Sequence, residues 1–254
     1  MNDSLSFPPG HWIFRDILES SLVESLVSAY VDNLDISFSK DTHSPLNGVS
    51  SQSNPYDLSR SESVLWRLIT TPSLLASIKS VSGYDQIRPI HYGVLIKSPG
   101  APPTAWHRDR DYLPVSSNVF TAWVPLTYIS SLSSIHYAEK TSFVDPLLTR
   151  VDSSNPLSLV FEHYGDPIVS AGELKPGDID IHDGHVWHFA PENTTNFHRV
   201  ALGVAFVADG TCIELSPLGF DSSVSLPIKL ETLSRYFPGL VDGSVISGPA
   251  HPVL

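Results

Sequence analysis

Residues 177–188 read Gly177-Asp178-Ile179-Asp180-Ile181-His182-Asp183-Gly184-His185-Val186-Trp187-His188, and an apolar run, Arg199-Val200-Ala201-Leu202-Gly203-Val204-Ala205-Phe206-Val207, follows close behind. Asp178 to His182 alternates polar and apolar side chains with the period of two that a strand with one buried face requires. Val186 to Phe189 forms a second strand after Gly184, and Arg199 to Val207 is apolar almost throughout, as in a strand covered on both faces. Pro191, Glu192, Asn193, Thr194 and Thr195 supply a turn that folds Arg199 back beside His188, so that both face one side of an antiparallel pair.

Upstream of this stretch the same texture predicts strands at Ile87 to Ile96, Val119 to Leu126, Ser134 to Tyr137 and Leu157 to His163. Turn residues separate nearly all of them. Before Gln86 the period changes. A short strand at His11 to Arg15 precedes Leu18, Leu22, Val23, Leu26, Val27 and Tyr30, which recur at helical spacing and predict a helix over Ser20 to Asn33. Helical signals return at Glu62 to Ile69 and, with Pro72 in a first-turn position, at Ser73 to Ser80, closing at Gly83. Residues 36–60 carry little apolar periodicity and form either a lid or a disordered surface loop. A last helix spans Lys229 to Tyr236. Helices first and strands afterwards predict a mainly β fold, with helices on one side of a closed or two-sheeted β-core. The expectation is a single domain over 1–254, with a helical part at about 16–83, a β-core at about 86–215 and a C-terminal helix and tail at about 226–254.

Composition agrees. Charged residues are 17% of the chain against a usual ~25%, which favours short strands joined by turns. With 15 Lys+Arg against 27 Asp+Glu, the formal charge of −12 opposes phosphate backbones and anionic membrane surfaces, so no nucleic-acid or membrane partner is expected. Cys212 is the lone cysteine, which excludes an intramolecular disulfide and suits the cytoplasm. Met1 to Gly10 does not read as a secretory signal, and the apolar stretch Val200 to Ala208 is far shorter than the ~20 residues that span a bilayer. Oligomeric state is not legible.

Trp106-His107-Arg108-Asp109 carries the chemistry. On an extended strand His107 and Asp109 project from one face about 7 Å apart, so both reach one ion. A chain with 11 His produces such pairs by chance, so the ligand set needs a second, distant His. His182, His185 and His188 are available, and His188 is chosen because Arg199 stands at the right interval to lie beside it. Two His and one carboxylate leave three positions on an octahedral ferrous iron, two for a chelating keto acid and one for dioxygen. Arg199 would grip the far carboxylate of that keto acid with its planar fork. A carboxylate in the third protein position leaves no vacancy for halide, so oxygenation rather than halogen transfer is expected. Arg108 and Arg110 would point away from the ligands into solvent, with Arg110 still able to reach a substrate carboxylate. Lys97 reads as a surface residue before a turn. Trp106, Tyr112, Tyr92 and Trp187 either line a substrate pocket or pack the core.

His107-Arg108-Asp109-Arg110-Asp111-Tyr112-Leu113-Pro114, Thr121-Ala122-Trp123-Val124-Pro125-Leu126, Gly177-Asp178 followed by His188, Arg199, and the ending Tyr236-Phe237-Pro238-Gly239-Leu240 through His251-Pro252-Val253-Leu254 resemble the phytanoyl-CoA dioxygenase (PhyH-like) family over most of the chain. The resemblance implies a double-stranded β-helix (jelly-roll, cupin-like) core. It also implies Fe(II) on His107, Asp109 and His188, the co-substrate 2-oxoglutarate on Arg199 with Trp123 beside it, and O2 as oxidant. The substrate would be a small molecule, and the 138–142 loop and acidic surface tilt it toward a secondary-metabolite intermediate. Two departures stand out. Ala138-Glu139-Lys140-Thr141-Ser142 replaces a loop many members share, and Ala190 lacks the hydroxyl that helps some members hold 2-oxoglutarate. The alternative function is a catalytically inactive cupin-like small-molecule binding protein.

Overall fold

The computed structural model describes residues 10–32, 50–52, 63–139, 168–215 and 226–254. In chain order these form β1 (His11–Phe14), α1 (Ser20–Val27), a π-helical turn (Ser28–Asp32), β2 (Ser50–Gln52), α2 (Val64–Ile69), α3 (Pro72–Ser82) and β3 (Ile87–Lys97). There follow α4 (Asp109–Tyr112), β4 (Phe120–Pro125), β5 (His136–Ala138), β6 (Ile168–Ser170), β7 (Ile179–Asp183), β8 (Trp187–Phe189), β9 (Arg199–Ala208) and α5 (Leu226–Tyr236). The predicted strand at Leu157 to His163 lies outside the described residues, as does most of the 36–60 segment.

Two antiparallel sheets face each other. The larger has six strands in the order β1-β7-β4-β9-β3-β2, and the smaller has three in the order β6-β5-β8. This is a double-stranded β-helix with helices over one face. Alternation along the strands separates two interiors. On β9, Val200, Leu202, Val204 and Phe206 join Tyr92, Val94, Phe120, Ala122, Val124, Ile179 and Ile181 in a core shared with Leu22, Leu26, Leu65, Leu68, Leu74 and Ile78 of the helices. On the opposite face Trp123, Leu95 and Ala201 meet Ile135, Tyr137 and Val186 between the sheets. The functional groups occupy that second space.

Local signals explain the helix ends. Pro72 starts α3, and Gly83 stops it in the left-handed region at φ 72°. The Ser63 hydroxyl accepts from the Trp66 amide at 3.0 Å and caps α2. The C-terminal tail, a motif in the sequence, returns to β3, where Leu254 and Ile87 exchange backbone hydrogen bonds of 2.9 and 3.4 Å. Among the described residues no helix is long and apolar enough to cross a membrane.

The loop between β8 and β9 departs from expectation. His188 and Arg199 do not share an antiparallel pair: β8 pairs with β5 in the smaller sheet, whereas β9 pairs with β3 and β4 in the larger. The connection crosses between sheets, so the two residues stand on different sheets. Asn193, fully buried, holds the crossing. Its side-chain amide donates to the carbonyls of Lys97 and Phe197, both at 2.8 Å, and its Oδ1 accepts from the Thr195 hydroxyl at 2.7 Å. Asn193→Ala leaves these groups unpaired and should cost about 1–3 kcal/mol in urea unfolding. Phe197→Ala, which removes a side chain that is 78% exposed, should stay within about 0.5 kcal/mol.

Candidate metal centre

His107 and His188 are joined by a backbone bridge, each amide donating to the other's carbonyl at 3.0 Å. The bridge fixes the two imidazoles with ring centroids 4.1 Å apart. His107 Nδ1 lies 2.9 Å from the Ala105 carbonyl and His188 Nδ1 lies 3.1 Å from that of Val186. A carbonyl only accepts, so each ring carries its proton on Nδ1 and turns a bare Nε2 inward.

Asp109 corrects the strand argument. The extended backbone ends at Arg108 (φ −126°, ψ 133°), and Asp109 opens the one-turn helix α4. The carboxylate still arrives: one ligand atom from each of His107, Asp109 and His188 lies within 4.8 Å of the others, close enough for one ion. Asp109 Oδ1 is 3.6 Å from His188 Nε2. Its Oδ2 accepts from the Thr121 hydroxyl at 2.5 Å and faces His182 Nε2 at 3.1 Å. The second oxygen is thus occupied by protein donors and the first is presented to the centre.

The protonation states suit a cation. Burial pushes the His188 imidazole well below its ordinary range, and the neighbouring His107 and His182 push the same way. Burial also lowers His107. Burial would raise the Asp109 carboxyl, but the His182 hydrogen bond and the surrounding imidazoles outweigh it and hold the group well below the usual carboxylate range. The centre therefore holds one carboxylate and two neutral imidazoles, the forms that ligate a metal.

The rival histidines separate cleanly. His185 sits in the β7–β8 turn beside Asp183 at 3.4 Å. His182 is 2% exposed and stands behind Asp109. Its Nδ1 is 3.2 Å from the Tyr137 hydroxyl, which donates to Asp180 Oδ2 at 2.8 Å. His11 stacks on Tyr137 at 4.2 Å with its Nδ1 4.0 Å from Asp180. A line of buried polar groups thus backs the carboxylate. No sequence spacing announced it, although Thr121, His182 and Asp180 all fall on the inward positions of their strands.

Arg199 is 7% exposed and donates through Nη1 to the Ser133 carbonyl at 2.5 Å, with its guanidinium carbon 5.8 Å from the centre of the Trp123 ring. Burial lowers its pKa to about 10. Among the described residues it makes no ion pair with a carboxylate. Lys97 is not on the surface. It is 1% exposed and paired in register with Arg199, a neighbour that only the β3–β9 alignment supplies.

Arg108 and Arg110 are not solvated either: Arg108 stays extended but its face is covered, and Arg110 lies in a helical turn that does not alternate faces. Arg108 is buried, bonds Asp111 at 2.9 and 3.1 Å and lies 5.0 Å over Trp187. Arg110 donates to the Leu113 carbonyl at 3.0 Å and meets Glu214 at 3.4 Å. Of the four aromatic candidates, Tyr112 lines the cavity beside the centre, whereas Tyr92 packs under the helices. That cavity, of about 580 Å3, is bounded by Gly93, Leu95, Gly203 and Ala205 of the larger sheet and by Ile228, Glu231 and Arg235 of α5.

No family model and no curated protein matches the sequence. Solved structures do match in shape. The epimerase SnoN in complex with Fe3+, alpha ketoglutarate and nogalamycin RO superposes with a TM-score of 0.74 at 18% identity, over 96% of this chain and 94% of that one. The non-heme alpha ketoglutarate dependent carbocyclase SnoK from nogalamycin biosynthesis gives 0.74 at 17%, over 97% and 92%. HygX from Streptomyces hygroscopicus, with nickel, 2-oxoglutarate and hygromycin B bound, gives 0.58 at 14%, over 93% and 94%. The chain therefore has the fold of the iron- and 2-oxoglutarate-dependent oxygenases.

The buried carboxyl at Asp180 makes the polar line testable. Burial pushes its pKa up to about 6, above the ordinary value of 3.8. A raised carboxyl pKa means that stability is fully present below the unfolded value and is lost as pH rises through the folded one. Asp180→Asn should therefore gain on the wild type by about 2 kcal/mol between pH 4 and pH 7 in urea unfolding of the metal-free protein. A difference that does not change over that interval would mean that Asp180 does not titrate there.

Proposed function

We propose that this protein is a ferrous iron- and 2-oxoglutarate-dependent dioxygenase of the PhyH-like kind, oxidising an unactivated C–H position of a small organic molecule of secondary metabolism. The observation that carries the reading is a pairing. Two neutral imidazoles and an ionised carboxylate face one point, and Arg199 waits across the interior without an acidic partner among the described residues. Burying an unpaired guanidinium costs several kcal/mol, so its retention favours an anionic ligand that completes it. 2-Oxoglutarate has that shape, with a chelating end for the metal and a carboxylate for the arginine.

When bound, iron, 2-oxoglutarate and dioxygen supply oxidative decarboxylation of the keto acid and abstraction of a substrate hydrogen. The chain does the positioning. His107 and His188 offer Nε2 because their Nδ1 protons are committed to Ala105 and Val186. Thr121 and His182 hold Asp109 Oδ2, so that Oδ1 alone faces the ion. Arg199, over Trp123, receives the far carboxylate. The apolar cavity beside Asp109 holds the substrate and keeps water from the reacting carbon. SnoN and HygX, which share the fold, are described with bound nogalamycin RO and hygromycin B, and this supports a small-molecule substrate for the present cavity. Hydroxylation is the default outcome. Desaturation, cyclisation, rearrangement or epimerisation can start from the same abstraction, whereas the Asp109 carboxylate leaves no metal position for halide.

Anaerobic calorimetry should find one ferrous ion per chain. His107→Ala, Asp109→Ala and His188→Ala should each abolish that binding, His185→Ala should leave it unchanged, and His182→Ala should weaken it by about 10–100-fold because Asp109 loses a donor. Arg199→Ala should keep iron but raise the 2-oxoglutarate requirement by about one to three orders of magnitude, measured as succinate formed in air. Iron binding with no succinate from any extract of small metabolites would leave a non-catalytic binding protein instead.

A further inference from the structure

Lys97 ends β3 with its side chain inside the barrel, at the position paired with Arg199 on β9. Among the described residues its ammonium has one hydrogen-bond partner, the Ala190 carbonyl at 3.2 Å, and that oxygen already accepts from the Thr104 amide at 2.9 Å. Two of its three N–H groups therefore point at no protein acceptor among the described residues. Arg199 is in the same condition, with one short bond to the Ser133 carbonyl. The nearest acid that acts on Lys97 is the exposed Glu192, which forms no ion pair with it. Burial, followed by the charge of Arg199, lowers the lysine pKa to about 8.

Two desolvated cations side by side repel each other, and a purely structural pair would carry an acid between them. Loop anchoring does not account for the ammonium. Asn193 already fastens the Lys97 backbone to the crossing loop, and the Ala190 carbonyl is satisfied without the lysine. What the pair can do is take an anion from two sides: a planar fork from Arg199 and a point charge from Lys97. Ala190 at this corner offers no hydroxyl to share the load.

We propose that Lys97 is a second cationic anchor for the far carboxylate of the co-substrate, so that Lys97 and Arg199 together select a dicarboxylic keto acid over its monocarboxylic analogues. The inference rests on the oxygenase reading and assigns Lys97 a positioning and specificity role within it.

The test uses anaerobic, iron-loaded protein titrated with 2-oxoglutarate and with 2-oxobutyrate, which keeps the chelating end and lacks the far carboxylate. Lys97→Met and Lys97→Gln should each weaken 2-oxoglutarate by about 10–100-fold and leave 2-oxobutyrate within about twofold. Lys97→Gln retains an N–H for the Ala190 carbonyl, so a loss in both variants belongs to the charge and not to that bond. Melting temperature and iron stoichiometry establish that each variant is folded. Undiminished 2-oxoglutarate affinity in both variants, with the wild type binding it normally, would overturn the role of Lys97 and leave the oxygenase reading intact. Equal loss for both keto acids would also overturn it, by showing a general disturbance of the site. A wild type that holds iron and binds neither keto acid would sink the oxygenase reading first, and this proposal with it.

Discussion

The reciprocal backbone bridge between His107 and His188 is the constraint on which the centre depends. It adds one rung to the smaller sheet and thereby sets two imidazoles from distant parts of the chain side by side. Their ring orientations follow from local carbonyls two residues upstream, not from any contact with a metal. The third group comes by a different route. The backbone turns helical at Asp109, and the carboxylate is then pulled to the centre by Thr121 of β4 and His182 of β7. Two groups of the candidate centre are thus positioned by sheet geometry and one by side-chain donors, and the second arrangement leaves one carboxylate oxygen uncommitted.

Polar groups in the barrel interior are sorted by sign. Around Asp109 lie His182, Tyr137, Asp180 and His11, a line in which carboxylates alternate with rings that bond or stack on them. Lys97 and Arg199, among the described residues, bond to carbonyls, and Arg199 lies over Trp123. Burial opposes charge in both regions. The acid end answers with partners from its own chain, and Asp109 stays ionised because three imidazoles surround it. The cationic end has no comparable acid among the described residues.

The outer face of the larger sheet keeps this interior rigid. Val200, Leu202, Val204 and Phe206 bury one side of β9 against α1, α2 and α3, while Gly203 and Ala205 on the other side leave room for the cavity. Small side chains inward and large ones outward let one strand serve both as wall and as anchor. The helix α5 covers the cavity with Ile228, Glu231 and Arg235, and so adds an acid and a base to a chamber that His107 and Asp109 also line.

The long strands of the β-core, the amphipathic helix at Ser20 and the ends of α3 were legible from the chain alone, because periodicity and punctuation act over a few neighbouring residues, whereas the three-residue strands β2 and β6 are too short to show a period and were not expected. That His107, Asp109 and His188 belong together was legible as well, since their chemistry is carried by residue type, and the structure brings one ligand-type atom of each within 4.8 Å of the others. Other properties depend on which strand lies beside which. Lys97 is buried because β3 pairs with β9 in a register that puts it against Arg199, and nothing near position 97 encodes that partner. His182 stands behind Asp109 because β7 joins β4 in the larger sheet, while Trp187 and His188 cross to the smaller. Arg110 leaves the alternation expected of a strand because a helical turn starts at Asp109, whereas the extended Arg108 is covered by Trp187 and Asp111. Sequence set the local periods and supplied the residue types of the candidate centre, and tertiary pairing decided which charges met inside the barrel, because burial and register arise only when distant segments share a hydrogen-bonded edge.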